Sequence, residues 1–417
     1  MASISALICS VCGRSYAPDS VTYYCPACGP VGTLDVVLDY DRLRADVDRD
    51  RLAAAHEPSM WRYKPLLPIA PDALTPGVPV GMTPYFHSPR LAADLGVREA
   101  WLKDDGRNPT ASLKDRASAL VVTRALERDI PVVSTASTGN AAAALAGIAA
   151  SVQGKALQTI IFVPATAPEA KIAQLLIYGA TVLLVDASYD VAFDLCFDLC
   201  QSEGWYCRNT GINPFTTEGK KTVAFEIAEQ SGWDVPDVVV VSVGDGNIIA
   251  GVHKGFVDLH RLGWIERIPR LIGVQAEGSS PLVHAWEHGI AAADMEPVEA
   301  HTIADSISAG IPRDRSKALR AVRQTGGAFV AVSDAEILAA IPALARLTGV
   351  FSEPACAAAY AGAKRARARG LIDAEERVCL LLTGHGLKDV KRAQEAVSGG
   401  LRVPPDSAAV RRALGIN

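Results

Sequence analysis

The sequence predicts an α/β protein whose sheets are mainly parallel and covered by helices on both faces. From about residue 98 onward, short apolar runs alternate with stretches of helical spacing. The runs are rich in Val, Ile and Leu and lack polar alternation, so both faces of each strand must be buried. With 417 residues, 49% of them hydrophobic and 21% charged, the chain exceeds what one core organises and suits two or three domains. Seven runs read as strands: 100–103, 132–134, 159–163, 182–185, 238–243, 271–275 and 378–382. Ligands in such folds sit beyond the carboxyl ends of the strands, where loops open into helix amino termini, so the chemistry is expected directly after these runs.

Ahead of the α/β region stand Cys9-Ser-Val-Cys12 and Cys25-Pro-Ala-Cys28, each pair followed by a glycine, Gly13 and Gly29. Two thiolates from each tight turn can close a tetrahedron around one ion, and a closed site is structural, so a zinc-ribbon-like module with Zn2+ is expected over 1–35. Arg14 is the only basic residue between Met1 and Tyr40, and the net charge is −5, so no nucleic-acid partner is expected. Residues 36–97 read as a helix and a connecting segment studded with Pro58, Pro65, Pro68 and Pro71. The longest alanine-rich run, 141–152, is too short to span a bilayer and holds Gly147 and Ser151. The start MASISALICSVCG reaches its cysteines before any hydrophobic leader core, so a reducing, cytoplasmic location is expected.

Four loops carry the candidate chemistry. After the run at 100–103 comes Asn108-Pro-Thr-Ala-Ser-Leu-Lys114-Asp-Arg116, then a helical pattern burying Ala117, Leu120, Val121 and Leu126. Lys114 sits at a helix start, where the dipole and Arg116 depress its pKa and Asp115 opposes them. A solvated surface lysine is the alternative. After 132–134, Ser137-Thr138-Gly139-Asn140 opens a helix of small residues, a cradle for a carboxylate or phosphate, with ordinary N-capping by Ser137 or Thr138 as the alternative. After 238–243, Gly244-Asp245-Gly246-Asn247 offers successive amides to a phosphate, provided that the Asp245 carboxylate points away; a plain tight turn is the alternative. After 378–382, Thr383-Gly384-His385-Gly386 places a hydroxyl beside a flat ligand, and His385 reads more as a loop-shaping residue than as a base. No Gly-x-Gly-x-x-Gly follows a first strand, which excludes a nicotinamide dehydrogenase.

Together these segments resemble the pyridoxal-phosphate enzymes of the tryptophan synthase β kind (fold type II), and within them threonine synthase. NPTASLKDRAS is similar to the family's lysine motif, STGN to its substrate-carboxylate loop, GDGN to its phosphate loop, and TGHGLKD to the threonine-synthase version of the last loop. MWRYKPLLP, GMTP, PEAKIAQLLIYGA, NPFTTEGKKTVAFEI, GVQAEGSSPLV and SISAGIP follow in matching order, so the resemblance covers about 58–389. It implies a larger PLP-binding domain over 98–135 and 213–417, a smaller α/β domain over 136–212, and a homo-oligomer, a dimer.

The same resemblance implies roles. Lys114 would bind pyridoxal 5'-phosphate covalently and shuttle protons at the substrate carbons. Asn140 would meet the ring's O3′, Ser137, Thr138 and Gly139 the substrate carboxylate, and Gly244, Asp245, Gly246 and Asn247 the cofactor phosphate. Thr383 would meet the ring nitrogen; a neutral hydroxyl there favours β- and γ-elimination or replacement over transamination. The implied activity is conversion of O-phosphohomoserine and water to threonine and phosphate. Threonine synthases usually carry an arginine two residues after the Asn-Pro pair, to meet the leaving phosphate, where this chain has Thr216; Lys220 is the candidate replacement. Cys356 and Leu113 also depart from the family pattern and are expected to reshape the substrate side. A β-replacement or β-elimination enzyme acting on O-phosphoserine or a related amino acid, of the cysteate synthase kind, and a catalytically inert ribbon-bearing interaction protein are the alternatives.

Overall fold

A computed structural model describes residues 4–167 and 169–416. Met1–Ser3 of the expected ribbon module, Pro168 of PEAKIAQLLIYGA and Asn417 lie outside the described residues. Strands β1 (Ile4–Cys9), β2 (Ser15–Tyr16) and β3 (Leu34–Leu38) form a small antiparallel sheet in the order β2-β1-β3. The remaining strands in chain order are β4 (Tyr85–His87), β5 (Glu99–Asp104), β6 (Val132–Ala136), β7 (Gln158–Pro164) and β8 (Thr181–Val185). They continue with β9 (Tyr206–Cys207), β10 (Val238–Ser242), β11 (Arg270–Ala276), β12 (Ala328–Val332) and β13 (Arg377–Leu382). A six-stranded sheet runs β12-β11-β10-β13-β5-β4, and a four-stranded sheet runs β8-β7-β6-β9.

All seven expected runs are strands, and every pairing in these two sheets is parallel except β4 with β5. β10 and the core of β13 are buried throughout, as uninterrupted Val and Leu require. The register sets Leu382 opposite Asp104 and Val238 opposite Val378, so the loops after β5, β10 and β13 emerge side by side. β4, β9 and β12 escaped the sequence reading: β4 is a three-residue antiparallel edge, β9 has two residues, and β12 is a five-residue run behind Gly326-Gly327.

Two expected boundaries shift. Residue 35 falls inside β3, and β6, expected at the end of the 98–135 segment, pairs with β7 and β9 in the four-stranded sheet. The chain leaves the first sheet after β5 and enters the second at β6, with the helix Lys114–Glu127 between them. An apolar run signals burial but not which sheet it joins, so the sequence pattern could not place that crossing.

The helix Lys114–Glu127 packs against Asn140–Ala150 on one side and Phe215–Lys220 on the other. Close approach there depends on glycine: a Cβ at Gly219 would lie 2.2 Å from the Arg116 carbonyl oxygen, and one at Gly147 2.6 Å from Thr110 Cγ2. Arg116, fully buried, donates to both Asp105 carboxylate oxygens at 2.6 and 2.9 Å and to Glu226 at 2.8 Å. Lys103 completes the group, donating to Glu226 at 2.5 Å and to the Thr83 carbonyl at 2.7 Å. Burial pushes the Glu226 carboxyl up, but Arg116 and then Lys103 outweigh it and hold it at about 2.

The ribbon touches both halves of the molecule. Lys317 Nζ donates to the Leu34 carbonyl at 2.8 Å, Ser316 Oγ to the Ser10 carbonyl at 2.9 Å, and Arg320 pairs with Asp35 at 2.7 Å. On the other side Tyr23 lies edge-on to Phe197 at 5.4 Å, and its hydroxyl accepts from the Cys207 amide at 3.0 Å. No helix among the described residues is long and apolar enough to cross a membrane.

Candidate active site

The loops after β5, β6 and β10 and the residue after β13 converge on one cavity of about 470 Å³. Its lining includes Lys114, Ser137, Thr138, Gly139, Asn140, Lys220, Gly244, Asp245, Gly246, Asn247 and Thr383, so every candidate ligand-binding residue faces the same space. A segment from Asp305 to Gly310, together with Ile311 and Arg313, forms a further wall. Ala111, at φ 64°, turns the chain sharply just before the helix of Lys114. The Leu113 amide then donates to the Thr383 carbonyl at 3.0 Å, which ties the lysine's helix to the last loop.

Lys114 is partly exposed to the cavity. Burial lowers the pKa of its amine, Glu353 opposes, and Arg208 lowers it further. Arg116, expected from the sequence to act on this lysine, is turned away into its pairs with Asp105 and Glu226, and Arg208 takes that role. Asp115 is likewise occupied, accepting from the Thr110 amide at 2.7 Å. Lys220, which is buried, is depressed well below the usual lysine range by burial, then by Arg208 and Lys114. Its ammonium position contacts Asn247 Oδ1.

The Ser137–Gly139 turn leaves its helix open. Gly139 is the N-cap of Asn140–Ala150 with no side-chain cap, while Ser137 Oγ accepts from the Gly139 amide at 3.1 Å. First-turn amides that no side chain satisfies suit an anion. Asp245 Oδ1 accepts from the Arg313 amide at 3.3 Å, so its carboxylate is directed at that backbone, as an anion site requires. His385 caps its own turn, Nδ1 accepting from the Leu387 amide at 3.1 Å, the loop-shaping role expected for it.

Comparison with known proteins fits this geometry. Residues 78–384 match the pyridoxal-phosphate dependent enzyme family. The chain belongs to the pyridoxal-phosphate dependent enzymes. Within that family it is similar to the threonine synthase of Methanocaldococcus jannaschii, 38% identical over 97% of this chain and 98% of that one. It is also 38% identical to the threonine synthase of Methanosarcina acetivorans, covering 98% of each. In fold it resembles the processed form of threonine deaminase isoform 2 from Solanum lycopersicum, with a TM-score of 0.65 at 21% identity over 84% of this chain and 88% of that chain.

The backbone at 244–247, the loop expected to meet a phosphate, is closely packed and depends on its glycines. A Cβ at Gly244 would lie 2.9 Å from Ile307 Cα, and one at Gly246 2.8 Å from Ala318 Cβ. Gly246 has φ 85° and is the N-cap of the helix Asn247–Arg261. Gly246→Ala is therefore expected to cost about 1–3 kcal/mol in stability and to weaken cofactor retention. Thermal melts with and without added pyridoxal phosphate would check it; an unchanged melt and unchanged cofactor content would count against a tight cradle.

The sequence reading missed residues that brace the cavity from behind. Asn140 Nδ2 donates to both carboxylate oxygens of Glu353, at 2.9 and 3.1 Å. Burial raises the Glu353 pKa, with Lys114 opposing. The acid precedes Pro354 at a helix start, and only its buried position in three dimensions sets it apart. Asn247 is held by Thr217 Oγ1 at 2.9 Å and by Asp314, so its side chain braces the loop. Thr216 Oγ1 donates to the Asn213 carbonyl at 2.7 Å and is absent from the cavity wall, as are Leu113 and Cys356, both wholly buried. The last two were expected to reshape the substrate side; they pack behind the wall instead.

In the ribbon, the sulfur atoms of Cys9, Cys12, Cys25 and Cys28 lie within 4.8 Å of one another. The Val11 amide points at Cys9 Sγ from 3.4 Å, and Gly13 and Gly29 take φ of 71° and 63° to close the two turns. That is the donor set and backbone that a tetrahedral ion asks for.

Proposed function

We propose that this chain is a threonine synthase, converting O-phosphohomoserine and water to threonine and phosphate. The observation that carries the reading is one cavity in which a lysine with a depressed pKa, an open helix start and a glycine phosphate cradle face each other. It stands beside 38% identity to two threonine synthases over nearly the whole chain.

Pyridoxal phosphate, when bound, supplies an electron sink for carbanions at the substrate carbons. Lys114 would hold it covalently and, as a free amine, would move protons at Cα and Cβ of the substrate; burial shifts its pKa in the direction that favours the proton-accepting form. Gly244, Asp245, Gly246 and Asn247 hold the cofactor phosphate through backbone amides, Asn140 serves the ring oxygen, and Thr383 serves the ring nitrogen. Ser137, Thr138 and Gly139 bind the substrate carboxylate. The six-stranded sheet with its helices is the larger, cofactor-binding domain, the four-stranded sheet the smaller one, and Cys9, Cys12, Cys25 and Cys28 hold a structural zinc ion. The enzyme works in the cytoplasm as a dimer.

Lys220 replaces the missing arginine. It sits one helical turn beyond Thr216 on the short helix Phe215–Lys220, and unlike Thr216 it reaches the cavity. A phosphate dianion entering beside it would favour its charged form, against the lowering by burial, Arg208 and Lys114. Lys220→Met is expected to raise KM for a phosphorylated donor by about 10–100-fold, the loss of one charged hydrogen bond, and to spare binding of a non-phosphorylated analogue.

The absence of an arginine at 216 favours one second reading, β-replacement on O-phosphoserine. Assay of O-phosphohomoserine, O-phosphoserine, O-acetylserine and serine for phosphate and product amino acid decides between them. Threonine formation from O-phosphohomoserine alone supports the first; preference for O-phosphoserine would replace it with the second; equal rates with unphosphorylated donors would overturn both.

A further inference from the structure

Three cysteines outside both the ribbon and the cavity converge in the four-stranded half. Cys196 and Cys200 stand one turn apart on the helix Tyr189–Ser202, and Cys207 ends β9. Their sulfur atoms all lie within 4.8 Å of one another, and the residues are 0%, 2% and 0% exposed. Three thiolates around one zinc ion, with Zn–S near 2.3 Å, stand about 3.8–4.0 Å apart, so small rotamer changes close the site.

The surroundings are not those of three sulfurs packed as small apolar groups. Ser134 Oγ lies 3.3 Å from Cys196 Sγ, an oxygen available for the fourth position. Asn209, 1% exposed and two residues beyond Cys207, has its Nδ2 buried with no hydrogen-bond partner. Without such a centre, the buried amide nitrogen is left unpartnered at real cost.

We propose that Cys196, Cys200 and Cys207 form a second, buried zinc site, with the Ser134 hydroxyl as oxygen ligand. Binding displaces the three thiol protons to solvent and forms three Zn–S bonds, with no change of oxidation state. The site anchors Asn209, whose Oδ1 accepts from Thr135 Oγ1 at 3.0 Å and from the Ala136 amide at 2.8 Å. Those residues end β6, from which the Ser137–Gly139 turn springs, so the metal fixes one wall of the cavity from behind.

Zinc counted by atomic emission on the purified full-length chain, after dialysis against excess Zn2+ and then buffer, tests this. The double variant Cys12→Ser/Cys28→Ser, which disables the ribbon, is expected to keep one zinc ion per chain. With the ribbon intact, Cys200→Ala is expected to hold one ion fewer than the unaltered chain, with near-ultraviolet circular dichroism confirming that it folds. A folded ribbon variant free of zinc overturns the proposal, as does a count unchanged by Cys200→Ala. Peptide mapping that finds a disulfide among these three cysteines in protein purified under reducing conditions overturns it too.

Discussion

Lys114→Ala yields a folded protein without the visible absorption band of a lysine-bound pyridoxal phosphate, and turnover falls by at least about 10³–10⁴-fold. Two functions are lost together, the covalent tether and the amine that carries protons. Among the described residues, no other amine on the cavity is placed to restore both. Lys220, the second lysine on the cavity, contacts Asn247, and its pKa is held lower still, by burial with Arg208 and Lys114 adding to it. The cradle at 244–247 is untouched by the substitution, so pyridoxal phosphate is expected to bind reversibly and be removed by dialysis. Absorption spectra before and after dialysis, with steady-state phosphate release, make the check. A variant that keeps the band and its turnover would remove Lys114 from the chemistry.

The second large effect is on stability. Arg116→Ala is expected to cost about 3–5 kcal/mol, because it strands Asp105 and Glu226 as buried carboxylates with one cation, Lys103, to share. All four side chains lie at or near 0% exposure, so water cannot take the lost partner's place. Urea titration followed by circular dichroism measures the loss. The sign with pH follows from Glu226: its folded pKa of about 2 lies below the ordinary 4.5, so the stabilisation is complete above 4.5 and disappears as pH falls toward 2. In Arg116→Ala that acid-dependent component should shrink. A loss under about 1 kcal/mol would mean that the remaining groups re-pair or protonate cheaply.

The parallel, doubly covered sheets were legible because their strands are uniformly apolar, and the cavity residues because they follow those strands in short glycine and hydroxyl loops. Lys114, Asn140 and Gly246 each sit at a helix start that the local sequence marks. Glu353, Arg208 and Asp314 were not legible. Each acts through partners remote in the chain, Glu353 reaching Asn140 and Asp314 reaching Asn247, and no local pattern distinguishes such a charged residue from a solvated one. Thr216 shows the converse: its position in the motif suggested the substrate, and its hydroxyl proves to be spent on the backbone of Asn213. The sheet that β6 joins was hidden for the same reason, since partner choice is a tertiary matter.

The amino-terminal ribbon grips Ser316, Lys317 and Arg320 beside the six-stranded sheet and Phe197 and Cys207 beside the four-stranded one. A segment fastened to both sheets ties them together at that end of the molecule, so separating them there would have to break contacts at Lys317 and Arg320 on one side or at Tyr23 on the other.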